Sequence, residues 1–152
     1  MSETAENAEQ AEKDNKTPDV LEVDSAGKTY RLGRIGFLAK LAAEVEIRKE
    51  RRIEFRELVA SLEGLDGELA RRSITAAFDH HVRNVAVAPY EIYDWFNTPA
   101  GELFAVTRSL KNVNPHLKDE EALESAKALL EGLNDEGRKK VAQFLARVLL
   151  GV

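Results

Sequence analysis

Between Gly36 and Gly64 the chain runs for 27 residues without a glycine or a proline. Such a stretch lacks the residues that break regular helices, and its apolar positions recur at helical spacing. Ile35, Leu38, Leu41, Ala42 and Val45 fall at i, i+3, i+4 intervals, which predicts an apolar stripe facing inward. After the charged run Arg48-Lys49-Glu50-Arg51-Arg52, the pattern resumes at Phe55, Leu58, Val59 and Leu62. One long helix or two would satisfy it. Either way, a largely helical fold is dictated here, and the rest of the chain must accommodate it.

Downstream punctuation extends the helical reading. Asp66 can cap a helix through Phe78 to about Val82, with Leu69, Ile74, Ala77 and Phe78 on its inner face. Asn84–Ala88 is ambiguous between loop, strand and helix end. Pro89 suits the first position of a short helix through Phe96. Thr98 sits just before Pro99 as a capping hydroxyl, and the helix it opens should present Leu103, Phe104, Val106, Thr107 and Leu110 before ending near Asn114-Pro115. Two more helices are expected, about Asp119–Glu131 and Asp135–Leu150, the last capped by Asn134.

Upstream the pattern differs. Val20, Leu21 and Val23, then Asp24-Ser25-Ala26-Gly27, then Lys28–Leu32 read as two β-prone runs around a turn, a hairpin over about 19–33. A lone hairpin is marginal in water, so it should lie on helices. Residues 1–18 hold no aliphatic larger than alanine apart from Met1, and they are acidic, which predicts a disordered tail. The expected architecture is therefore mainly α: five or six helices with an N-terminal hairpin, in a single domain over 19–152.

Bulk chemistry narrows the function classes. With no cysteine, disulfides, thiolate nucleophiles and sulfur-ligated zinc are excluded. A net charge of -5 argues against general phosphate-backbone binding. The chain has neither a secretory h-region nor an apolar run of membrane-spanning length, so a cytoplasmic location is expected. His80 and His81 are adjacent, hence about 100° apart on a helix, and converge poorly on one ion. His116 lies far along the chain, in an expected loop. No Gly-x-Ser-x-Gly elbow, Walker motif or Gly-x-Gly-x-x-Gly occurs. Basic Arg48–Arg52, with Arg56 and Arg71-Arg72, could track a nucleic acid, but Glu44, Glu46, Glu50, Glu54 and Glu57 interleave with them, as on a solvated face. Neither catalytic residue, metal nor cofactor is expected. Tyr90–Phe96 gathers the single tryptophan and two of three tyrosines, a segment suited to core or interface.

The order of certain short motifs resembles a known family. Gly27-Lys28-Thr29-Tyr30-Arg31-Leu32 leads into a charged helix. Later come Thr98–Phe104, Arg108-Ser109-Leu110-Lys111 and Asn114-Pro115-His116-Leu117-Lys118-Asp119-Glu120-Glu121. Together, over about Val20 to Leu123, they look like the tail assembly chaperones of long-tailed bacteriophages. Asn114 stands where that family more usually has histidine. The resemblance implies a non-enzymatic protein of the host cytoplasm that binds the helical tape measure protein, or another tail polypeptide, and keeps it soluble during tail assembly. Self-association is open. The family supplies no catalytic residues. Tyr90, Tyr93, Trp95, Phe96, Phe104 and Leu110 are the residues chosen here as candidates for partner contact. Two other classes remain: a helical adaptor outside phage biology, and a small nucleic-acid binder or enzyme.

Overall fold

A computed structural model describes residues 19–150, apart from 63, 65, 66, 84 and 85. The expected acidic tail over 1–18 lies outside the described residues. Among those described, the chain is mainly helical with one two-stranded sheet. Strands β1 (Val20–Ser25) and β2 (Lys28–Gly33) precede helices α1 (Phe37–Ser61), α2 (Glu68–His81), α3 (Pro89–Phe96), α4 (Pro99–Val113), α5 (Asp119–Gly132) and α6 (Asp135–Leu150). The chain forms two compact units: the first holds β1, β2 and the residues from Leu103 onward, and the second is Phe37–Glu102.

In the first unit, the strands pair antiparallel with Val23 opposite Tyr30 and Ser25 opposite Lys28, leaving Ala26-Gly27 as a two-residue turn. Both turn residues have positive φ, 49° and 77°. That is the hand a tight hairpin turn needs, and glycine supplies it without steric cost. Alternation then sorts the faces. Val23, Ser25, Tyr30 and Leu32 are buried. On the other face, Glu22 pairs with Arg31 at 3.5 Å and the Thr29 hydroxyl donates to Asp24 at 2.6 Å.

The buried face packs on α5 and α6, as an isolated hairpin requires. Two buried hydroxyls fix it in place. Ser25 Oγ donates to the Leu129 carbonyl at 2.8 Å, and Ser109 Oγ to the Gly33 carbonyl at 2.5 Å. Around them, Leu32, Val106, Ala122, Ala126, Leu129 and Val141 are shut off from solvent. The α6 start follows local chemistry: Asn134 Oδ1 accepts from the Gly137 amide at 2.8 Å.

Within the second unit, α1 is one uninterrupted helix of 25 residues, so the two-helix alternative is set aside. It packs on α2 and α3. Thr98 caps α4, its Oγ1 accepting from the Gly101 amide at 3.1 Å. Gly67, with φ 84°, takes the position before α2, and Asp66, expected as the cap, lies outside the described residues. Of the ambiguous segment, Ala86–Ala88 is irregular with Val87 buried, while Asn84 and Val85 lie outside the described residues.

The inward faces of α1 and α2 differ from expectation. Leu38, Leu41 and Val45, placed inside by their spacing, are exposed at 78%, 42% and 52%, whereas Ala39, Ala43 and Ile47 are buried. On α2, Ala77 is buried as expected and Ala70 with it, but Leu69 and Phe78 are exposed. The physical reason is distance. Helices pack about 8–10 Å apart, and small side chains permit the closest approach, so an alanine row competes well with a row of larger residues for the inner position.

Candidate polypeptide-binding surface

On a helix advancing about 100° per residue, Phe37, Leu38, Leu41 and Val45 share one sector about 100° wide. All four are exposed, Phe37 at 72%. The buried Ala39, Ala43 and Ile47 lie on the opposite side of the same helix. An apolar row on the solvent side is what distinguishes α1 from a simple core helix, because scattered single exposures are ordinary and rows are not.

Outside that sector, α1 holds α3 through polar contacts. Glu50 accepts from the Trp95 indole N–H at 3.0 and 3.1 Å to its two oxygens. Arg51 pairs with Glu91, and Glu91 in turn accepts from the Ala88 amide at 2.8 Å, which caps the start of α3. The Trp95 and Phe96 rings meet edge to face, with centroids 5.4 Å apart. On α2, Phe78 meets Phe55 of α1 at 5.8 Å in the same manner, and His81 Nδ1 stands 3.4 Å from Glu54 Oε2. Histidine and carboxylate here bridge α1 and α2.

These contacts divide the six candidate residues. Tyr90 and Tyr93 stand in solvent, 69% and 43% exposed. Trp95 and Phe96 are buried, as is Leu110 in the first unit. Phe104 is half-buried, with the Arg108 guanidinium 5.3 Å from its ring centroid. The aromatic segment is thus split by its own helical period: Tyr90 and Tyr93, three apart, share the outer face, and the Trp95-Phe96 end is the anchor. The exposed row of α1 was missed as a candidate because its large side chains were assigned to the core. Its signal lay in the row Ala39, Ala43, Ile47, which offers an alternative inner face at equal spacing.

Among the described residues, no group of three His, Cys, Asp or Glu is placed to hold a metal ion. His116 lies exposed in the segment between α4 and α5. A depression of about 220 Å³ between β1 and the start of α6 is lined by Glu22, Asp24, Glu136, Gly137 and Lys140 among others. Lys140 there pairs with Glu136 at 3.1 Å, both well exposed, so it lacks the buried, paired carboxylates that acid–base chemistry uses. One perturbed carboxyl stands out. Asp119 titrates below its ordinary value of 3.8, first because Lys111 donates a hydrogen bond to it and then through the charges of Lys111 and Arg108. No helix of the described residues is long and apolar enough to cross a membrane. Comparisons with protein-family models, with curated proteins and with solved structures each return no match.

Proposed function

We propose that this chain is a non-enzymatic chaperone of phage tail assembly, binding the tape measure protein in the host cytoplasm and keeping it soluble while the tail forms. The observation that carries the reading is the solvent-facing apolar row Phe37, Leu38, Leu41, Val45, together with exposed Tyr90 and Tyr93. A helical, hydrophobic client needs such a row to cover its own. The motif resemblance set out above supplies the identity of that client.

Energetics favour a holding role over tight capture. Covering the four aliphatic and aromatic side chains of the row would gain about 4–7 kcal/mol gross, since they are already partly covered. Association itself costs a comparable amount, so one contact is weak and releasable. Several copies spread along a long client gain strength through multivalency while each remains exchangeable, which suits delivery to an assembling tube.

The test is co-expression of the full chain with fragments of a candidate tape measure protein, scoring the soluble client and its co-purification. Soluble, co-purifying client is expected. Client that stays insoluble and fails to co-purify removes the chaperone reading, and a salt-sensitive shift of duplex DNA would replace it with nucleic-acid binding.

A further inference from the structure

The charges along α1 look mixed in sequence, but the helix separates them. At about 100° per residue, Arg48, Lys49, Arg52 and Arg56 fall in the same sector, about 120° wide, that holds Phe37, Leu38, Leu41 and Val45. Glu44, Glu46, Glu50, Glu54 and Glu57 all fall outside it. Two of those acids are engaged across helices, Glu50 with Trp95 and Glu54 with His81. Lys49 is tied to Glu46 at 2.7 Å. Arg52 and Arg56 are exposed, and no ion pair involves either among the described residues. Phe55, at the same angle as Phe37, bounds this sector where its ring meets Phe78 of α2, and half-buried Val59 lies within it. Beside them the face is apolar over its first half and mainly cationic over its second, for a length of about 28 Å from Phe37 to Arg56.

We infer that this face binds an amphipathic helix whose N-terminal half is acidic and whose C-terminal half is apolar, docked antiparallel to α1. Charge complementarity fixes the occupant. The acidic half lies over Arg52 and Arg56, and the apolar half covers Leu38, Leu41 and Val45. Acids at a helix N-terminus also complement that helix's own dipole, which favours the helical form of such a segment. A nucleic acid fits worse, because the first half of the face offers a phosphate backbone no cation, and the chain carries a net charge of -5. This inference rests on the reading of the chain as a polypeptide binder and names the class of segment it takes.

The probe is a labelled 22-residue helical peptide with glutamates in its first half and a leucine row in its second. Its binding to the full chain is followed by fluorescence anisotropy. A second peptide carries lysines in place of the glutamates, and a third is a scramble of the first. The acidic peptide should bind, at least tenfold tighter than either control, and weaken about tenfold between 50 and 500 mM salt as exposed pairs are screened. The double variant Arg52→Glu/Arg56→Glu should exchange preference and take the lysine peptide. Leu38→Asn/Leu41→Asn should lose both, with an unchanged far-UV spectrum because both side chains are at the surface.

Equal binding of the acidic and scrambled peptides overturns the inference, as does a charge-reversed variant that still prefers the acidic peptide. A dimer in sedimentation that Leu38→Asn/Leu41→Asn dissolves assigns the face to a second copy instead. Arg52-dependent binding of anionic phosphatidylglycerol vesicles, or of duplex DNA, with no peptide binding also overturns it. The client assay separates this from the chaperone reading. A client still solubilised by Arg52→Glu/Arg56→Glu removes the cationic half from client binding and overturns this inference, while the apolar row and the chaperone reading stand. A peptide that binds as described, beside a tape measure fragment that stays insoluble, does the reverse.

Discussion

Substituting Gly101 by alanine sets two effects of known size against each other. Gly101 is the third residue of α4 and buried. A methyl group there would stand 2.0 Å from the Trp95 carbonyl oxygen and 2.7 Å from Phe96 Cα, both backbone atoms. Ordinary C···O contacts begin near about 3.3 Å, so the end of α3 must retreat by about 1 Å. That carbonyl accepts from the Thr98 amide at 2.9 Å and from Thr98 Oγ1 at 2.6 Å, so the retreat strains two hydrogen bonds as well. Overpacking costs about 1–3 kcal/mol and each weakened hydrogen bond up to about 1. Alanine returns only about 1 kcal/mol of helix propensity. An approach of 2.0 Å to a backbone oxygen puts the overpacking at the top of its range, so the clash wins, for a net loss of at least about 2 kcal/mol. Urea unfolding followed by Trp95 reads the second unit directly, since it is the single tryptophan and is buried there. With a slope of about 1–2 kcal/mol/M, the midpoint should fall by at least about 1 M. Gly36→Ala is the control: its methyl would meet nothing within 4 Å, so far-UV circular dichroism should show it neutral or stabilised by up to about 1 kcal/mol. A Gly101→Ala midpoint at or above the wild-type value refutes the close approach of α3 to α4.

Other perturbations test the first unit and the helix faces. Ser109→Ala leaves the Gly33 carbonyl without its buried donor and should cost about 1–3 kcal/mol, with weakened amide exchange protection in β2; unchanged protection would sink the assignment. Leu129→Ala, at a fully buried site, should cost about 2–5 kcal/mol, while Leu38→Ala should stay within about 0.5; equal losses would mean that α1 faces inward as its large residues suggest. In Lys111→Met, the titration midpoint of Asp119, read by carboxyl NMR, should rise toward 3.8. The sign follows from the lowered folded value: the stabilisation is present above the unfolded carboxylate range and disappears as pH falls through the folded value. A midpoint that does not move in Lys111→Met would show that Lys111 is not the cause.

Where a feature depended on neighbours in the chain, sequence reasoning located it well. Thr98 before Pro99 caps α4, and Asn134 caps α6. The hairpin turns at Ala26-Gly27, with its apolar residues on alternate positions facing the helices. The caps and the turn rest on bonds within a few residues, so local composition and spacing determine them, whereas the hairpin's seat on the helices is fixed by the distant Ser25–Leu129 and Ser109–Gly33 bonds. The aromatic segment Tyr90–Phe96 was recognisable as unusual, but its division into two exposed tyrosines and two buried rings depends on Glu50, 45 residues away, accepting the Trp95 N–H. Nothing near Trp95 in sequence announces that acceptor.

The orientation of α1 is the instructive failure, because two rows at helical spacing competed for the inside and side-chain size favoured the wrong one. Leu38, Leu41 and Val45 would bury more area, yet Ala39, Ala43 and Ile47 are the residues enclosed. Hydrophobic spacing rewards area, whereas helix packing rewards close approach and the polar contacts it permits, here Arg51 with Glu91 and Glu50 with Trp95. Those contacts demand that the Glu50–Arg51 side of α1 face α3, and the helical period then carries the larger apolar residues outward. An exposed row on α1 is therefore a geometric consequence of how α3 is held. It follows that breaking the hold, by Glu50→Ala with Arg51→Ala, should disturb the presentation of that row along with the environment of Trp95, and the two should change together.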